Sequence, residues 1–120
     1  MNSNYNESAY LEYAYSQARL GKSISQSILE KLTQTKNLYP PYTLNRRAFI
    51  AFYQKDFPLA LQILKESLQY KSSKNQEIYE LAYRIYFEFK DIENAKLMLN
   101  NAIEVGDNKP YYLGLLNKMN

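Results

Sequence analysis

Few side chains in this chain could do covalent chemistry. Its 120 residues include no His and no Cys, so the usual proton shuttle, thiol nucleophile and thiolate or imidazole metal ligands are all missing. Asp56, Asp91 and Asp107 are the whole Asp inventory, and each falls in a turn or at a helix start. No glycine-rich phosphate loop occurs. Catalysis, a cofactor and a metal site are therefore not expected. What the residues can supply is recognition. Arg46, Arg47 and Arg84 either lie on a solvated helical face or make bidentate contacts to carboxylates of a bound peptide, and Phe49, Phe52 and Tyr53 lie three and four apart, forming an aromatic stripe on one helix.

The elements that position these groups follow from composition and period. Hydrophobic residues make up 46% and charged residues 22%, the balance of an ordinary globular protein. Three Gly and four Pro are too few for the tight turns of a many-stranded sheet. No run of about 18 or more apolar residues exists, so membrane insertion is not expected. The stretch from Met1 to Ala9 lacks the basic start and apolar core of a secretion signal, and cytoplasmic residence is the expectation. A charge of +3 comes from 15 basic and 12 acidic residues spread along the chain, which gives no basic block for nucleic acid.

The chain echoes itself at an offset of 35. Residues 48–68 laid over 83–103 pair Ile50 with Ile85, Phe52 with Phe87 and Lys55 with Lys90. They also pair Asp56 with Asp91, Ala60 with Ala95 and Leu64 with Leu99. One step back, Ile24, Ile28 and Leu29 fall under Leu59, Ile63 and Leu64, with Gly21 under Asp56. Within each unit apolar residues recur at three and four, so every unit reads as a helical hairpin. Helices are expected near 4–19, 24–36, 41–54, 57–70, 75–89, 92–105 and 110–118. Ser23 with Gln26, Ser73 with Gln76 and Asn4 with Glu7 have capping-box spacing or its near relative. Asp56 and Asp91 are placed to cap second helices, Pro58 lies in a first turn, and Gly106 should stop the helix that ends at Val105.

Two helices per unit, a period near 34 and a Lys-Asp turn followed by a small residue resemble the tetratricopeptide repeat. Ala48 and Ala60 match the small residues through which that family's paired helices approach; Leu64, Leu99 and Ala102 match later positions. Tyr83 stands where the family has a small residue, which implies a third hairpin that is either splayed or packed with altered geometry. Sel1-like and other helical hairpin repeats of similar length share these features. The resemblance implies an all-α superhelix (solenoid) of seven antiparallel helices in a single domain, 1–120. Its units would span about 5–39, 40–74 and 75–109, closed by a capping helix at 110–118.

The family's first helices line an inner face that holds an extended peptide or a partner helix. By that resemblance the chain is a protein-binding adaptor or chaperone-like scaffold. The lining positions, turned away from the second helices, would be Tyr10, Gln17, Asn45, Arg46, Phe49, Phe52, Tyr53, Glu80, Arg84, Phe87 and Glu88. Only Asn45 suits the family's clamp for a C-terminal carboxylate, so that specificity is not expected; a Tyr-rich groove is closer to those of secretion chaperones built from such repeats. Two readings of the Phe49, Phe52 and Phe87 rings stand side by side, groove lining and packing between units. The apolar C-terminal segment with Tyr111, Tyr112, Leu115 and Leu116 has two as well, a cap on the last hairpin and a homo-oligomer contact. A basic helical repeat that stacks nucleic-acid bases is the remaining, weaker rival.

Overall fold

The computed structural model describes residues 3–32 and 40–119, with side chains from Ser8 onward. Among these residues the chain is all-helical, with seven α-helices and no strand. They are α1 (Ser3–Arg19), α2 (Gln26–Leu32), α3 (Pro40–Tyr53), α4 (Phe57–Ser67), α5 (Gln76–Glu88), α6 (Ile92–Val105) and α7 (Lys109–Lys118); a 3-10 turn, Lys71–Ser73, precedes α5. None of these helices is long and apolar enough to cross a membrane. The helices gather into two compact units, Met1–Ser67 and Leu68–Asn120.

In the first unit α1 packs on α2 and α3, and α3 packs on α4. Leu11, Ala14, Ala18, Ile24, Leu32 and Ile50 form one buried cluster, with Ile28, Leu29 and several tyrosines laid against it. Ala48 and Ala60 are both fully buried, as is Leu64, so α3 and α4 meet through methyl groups that let their backbones come close. In the second unit α6 packs on both α5 and α7. Ala82, Ile85, Ala95, Leu99 and Ala102 are fully buried there. Tyr83 does not enter this core. It is half-buried with its ring on Phe87, and its neighbour Ala82 is the small buried residue.

The turns explain the 35-residue echo. Lys55 and Lys90 have left-handed backbones, φ 64° and 59°, and so does Gly21 at 73°. Around each, two backbone bonds close a Schellman motif: Lys55 N–H to Phe52 C=O and Asp56 N–H to Ala51 C=O, both 2.9 Å. Lys90 and Asp91 bond likewise to Phe87 and Tyr86, and Gly21 and Lys22 to Ala18 and Gln17. Gly21 is therefore the equivalent of Lys55, not of Asp56, and the first interval is 34 residues where the second is 35. The Asp caps form as expected, with Asp56 Oδ1 accepting from Leu59 N–H at 3.3 Å and Asp91 Oδ1 from Asn94 N–H at 3.2 Å.

Other local expectations are corrected. Ser25, not Ser23, caps α2 by accepting from Ile28 N–H at 3.3 Å. Asn75, not Ser73, caps α5, accepting from Ile78 N–H at 2.9 Å, because the 3-10 turn has already buried Ser73. Helix α4 ends at Ser67 rather than 70, where the chain passes into that turn. The second helix starts at Gln26 rather than 24, and its expected end at 33–36 lies outside the described residues, as do the side chains of Asn4 and Glu7. Gly106 does end α6, but in extended backbone, φ −154°. Its missing Cβ makes room for Gln76, whose Cδ would lie 2.1 Å from a methyl there and whose amide donates to Ala102 C=O at 2.9 Å.

Two substitution sets test these turns by urea denaturation. Lys90→Gly relieves a left-handed backbone and should raise stability by about 0.5–1 kcal/mol, while Gly21→Ala, which meets no steric contact, should lower it by about 1 kcal/mol through strain alone. Gly106→Ala should cost about 1 kcal/mol by expelling Gln76 from its hydrogen bond, and much less in a Gln76→Ala background.

Candidate functional site

The candidate site in the first unit is a continuous run of aromatic rings along α1 and α3 that reaches the first residue of α4. Tyr15 meets Phe49 edge to face, with centroids 5.7 Å apart and planes at 83°. Phe49 stacks on Tyr53 at 6.2 Å and 23°, Tyr53 tilts against Phe52 at 5.8 Å, and Phe52 meets Phe57 at 5.5 Å. Each such pair contributes about 0.5–1.5 kcal/mol beyond its buried area, so the rings hold one another in place. Phe49 is 8% exposed and belongs to the core. Tyr15, Phe52, Tyr53 and Phe57 are half-buried, each keeping part of its surface open to solvent.

Cations are set into this ladder. The Arg46 guanidinium lies 4.0 Å from the Tyr15 ring centroid and 5.9 Å from that of Tyr42, and the Arg19 guanidinium lies 5.5 Å from Tyr15. Arg46 Nε also donates to Glu12 Oε1 at 3.1 Å, and the Tyr42 hydroxyl donates to that same oxygen. Burial raises the Tyr42 hydroxyl above its usual range, and the Glu12 carboxylate adds to the effect because it holds the proton in place. Arg46, for which a solvated face and a peptide carboxylate are the two readings, pairs with Glu12 of its own unit. Arg47 points elsewhere, lining a cavity of about 300 Å³ with Leu29, Ile50, Leu59 and Ile63.

Two more of the expected lining residues turn toward their own second helices. Tyr10 accepts from Lys31 Nζ of α2 at 2.8 Å with that ammonium 4.3 Å from its ring centroid. Asn45 accepts from the buried Ser67 hydroxyl of α4. Both were expected to face away from those helices, and their polar tips fail that expectation because each second helix offers a donor. Gln17 is half-buried. In the second unit Glu80 is spent on Arg84, at 2.8 Å, and on the Tyr112 hydroxyl, which donates to it at 3.1 Å. Arg84, Phe87 and Glu88 remain exposed, Phe87 at 49%.

Helix α7 divides the expected oligomer residues. Tyr112 is 4% exposed and its ring meets Tyr111 at 4.9 Å. Leu115 and Leu116 are half-buried, while Tyr111 is exposed. Burial of Tyr112 and its bond to Glu80 push that hydroxyl up to about 12.

Glu12, Tyr15, Arg19 and Tyr42 were not singled out from the sequence. A signal for them exists, since Glu12 and Arg46 are 34 positions apart, as are Tyr15 and Phe49. That is the interval between the left-handed turns at Gly21 and Lys55, and it places equivalent residues of α1 and α3 side by side. Compared with known protein families, curated proteins and solved structures, the chain matches none.

The Tyr112 contact predicts an alkaline signature. The folded chain keeps this proton above pH 10, where an unfolded tyrosine gives it up, so the contribution to stability is full below pH 10 and is lost as pH rises through about 12. Urea midpoints measured across pH 9–12 should therefore fall less steeply for Tyr112→Phe than for the wild type.

Proposed function

We infer that the chain is a tetratricopeptide-type interaction module with no chemistry of its own, which holds an extended segment or helix of a partner protein along α1 and α3. The observation that carries this reading is the unbroken ladder from Tyr15 through Phe49 and Tyr53 to Phe52 and Phe57, stiffened by Arg19 and Arg46. Rigid, half-open aromatic rings supply large contact area at little entropic cost, and such rings dominate binding energy at protein interfaces. Because Arg46 is neutralised by Glu12, the middle of the face is apolar in effect and suits apolar side chains of a partner.

The repeat reading is supported by left-handed turns at Gly21, Lys55 and Lys90 and by buried alanines at Ala14, Ala48, Ala60 and Ala95. In arrays of stacked hairpins, successive first helices form one recognition surface, and α1 and α3 are such a pair. A cytoplasmic adaptor is the setting that fits this reading.

Selection from a displayed peptide library against the full chain tests the proposal. Enriched peptides should carry apolar or aromatic anchors, and a folded Tyr15→Ala/Tyr53→Ala variant should bind them at least tenfold more weakly, since truncating one well-packed aromatic anchor costs roughly 2 kcal/mol. Undiminished binding to that variant would remove the ladder from recognition. A steep fall of affinity with salt would instead favour a nucleic-acid ligand.

A further inference from the structure

Tyr53, a rung of the aromatic ladder, is also a wall of a second feature. Between the turn after α1 and the turn after α3 lies an open cleft of about 340 Å³. Gly21, Lys22 and Ser23 line it from one turn, and Tyr53, Gln54 and Lys55 from the other. Both lysines are exposed, and among the described residues no Asp or Glu lines the cleft. The nearest carboxylate in sequence, Asp56, is occupied with the Leu59 N–H and lines the separate cavity beside Arg47. Arg19, exposed on the last turn of α1, adds a third cation at the same end of the helix.

We propose that this cleft seats the carboxylates of an acidic protein segment whose apolar side chains lie on the Tyr15–Phe49–Tyr53 ladder. The inference rests on the ladder reading and adds a direction to it, with apolar anchors along α3 and acidic residues at the turn end beyond Tyr53. The left-handed backbones that face the cleft bring Lys22 and Lys55 to it from two separate turns, so positive charge comes from both walls.

Carboxylates suit the cleft better than a phosphate. A phosphate site draws on several converging backbone N–H groups, yet the N–H groups of Gly21, Lys22 and Lys55 are consumed by Ala18, Gln17 and Phe52 carbonyls at 2.9–3.0 Å. The charge at the cleft comes instead from the flexible side chains of Lys22 and Lys55, whose ammonium groups act as point charges, with Ser23, Ile24, Tyr53 and Gln54 beside them. Such a set matches charges spaced along a chain rather than one compact trianion.

The test is a nuclear magnetic resonance titration of the full, nitrogen-15-labelled chain with three peptides. Each carries the same leucine and tryptophan anchors, followed by four glutamates, four glutamines or four phosphoserines. The glutamate peptide should shift the amides of Phe49, Phe52 and Tyr53 together with Gly21, Lys22, Ser23 and Lys55, whereas the glutamine peptide should shift the ladder amides alone. The glutamate peptide should bind about tenfold more tightly at low salt, and Lys22→Gln/Lys55→Gln should abolish that preference while leaving the glutamine peptide's affinity unchanged. Equal affinities with no cleft shifts would overturn the acidic seat and leave the ladder reading standing. Absence of ladder shifts with every peptide would overturn both. A phosphoserine peptide, or a single-stranded oligonucleotide run alongside, that perturbed the cleft more than glutamate would overturn the carboxylate assignment.

Discussion

The left-handed residue that ends a first helix is the constraint on which each hairpin depends. A helix leaves its last carbonyls without partners, and reversing the chain within three residues requires that those groups be satisfied while the backbone turns. At Lys55 and Lys90 the non-glycine backbone accepts φ near 60°, a strained state that persists because the next residue locks it from both sides. Asp56 donates its N–H back to Ala51, accepts the Leu59 N–H on its carboxylate and accepts the Ala60 N–H on its carbonyl. Asp91 makes the same connections to Tyr86, Asn94 and Ala95. One residue thus closes one helix through its backbone N–H and opens the next through its carboxylate and carbonyl, and the Lys-Asp pair recurs at both turns.

Where that double role is split, the hairpin loosens. After α1 the left-handed residue is Gly21, but the capping oxygen belongs to Ser25, four residues on. The connection is longer, and α2 begins later than its periodicity implies. The same lengthening leaves Gly21, Lys22 and Ser23 standing at the surface, where they line the cleft opposite the tighter α3–α4 turn.

Side-chain chemistry on α1 and α3 follows a similar division between internal and external use. Arg46 has two acceptors within reach of its own unit, the Glu12 carboxylate and the Tyr15 ring face, and a guanidinium that is partly withdrawn from water takes both. Asn45 and Tyr10 are likewise satisfied by Ser67 and Lys31. These contacts order the face without offering polar groups to a partner. They leave its open surface to half-buried rings and to Arg19, Lys22 and Lys55 at one end.

Local chemistry was legible in the residues themselves. The helices, the Asp56 and Asp91 caps and the buried Ala48, Ala60, Leu64 and Leu99 depend on neighbours within a few positions or on a strict period. Which way an amphipathic side chain turns was not legible, because Tyr10, Asn45, Arg46 and Phe49 sit near the boundary between two faces of a helix. Their choice is made by a donor, carboxylate or ring 21 to 34 residues away. The extended backbone at Gly106 belongs to the same class, since the reason for it is the distant Gln76 side chain. Sequence alone determined where helices run and which stripes are apolar, as both follow from short-range sterics and burial. Tertiary structure decided which polar and aromatic groups are spent inside and which stay open, because that depends on partners brought together only by folding.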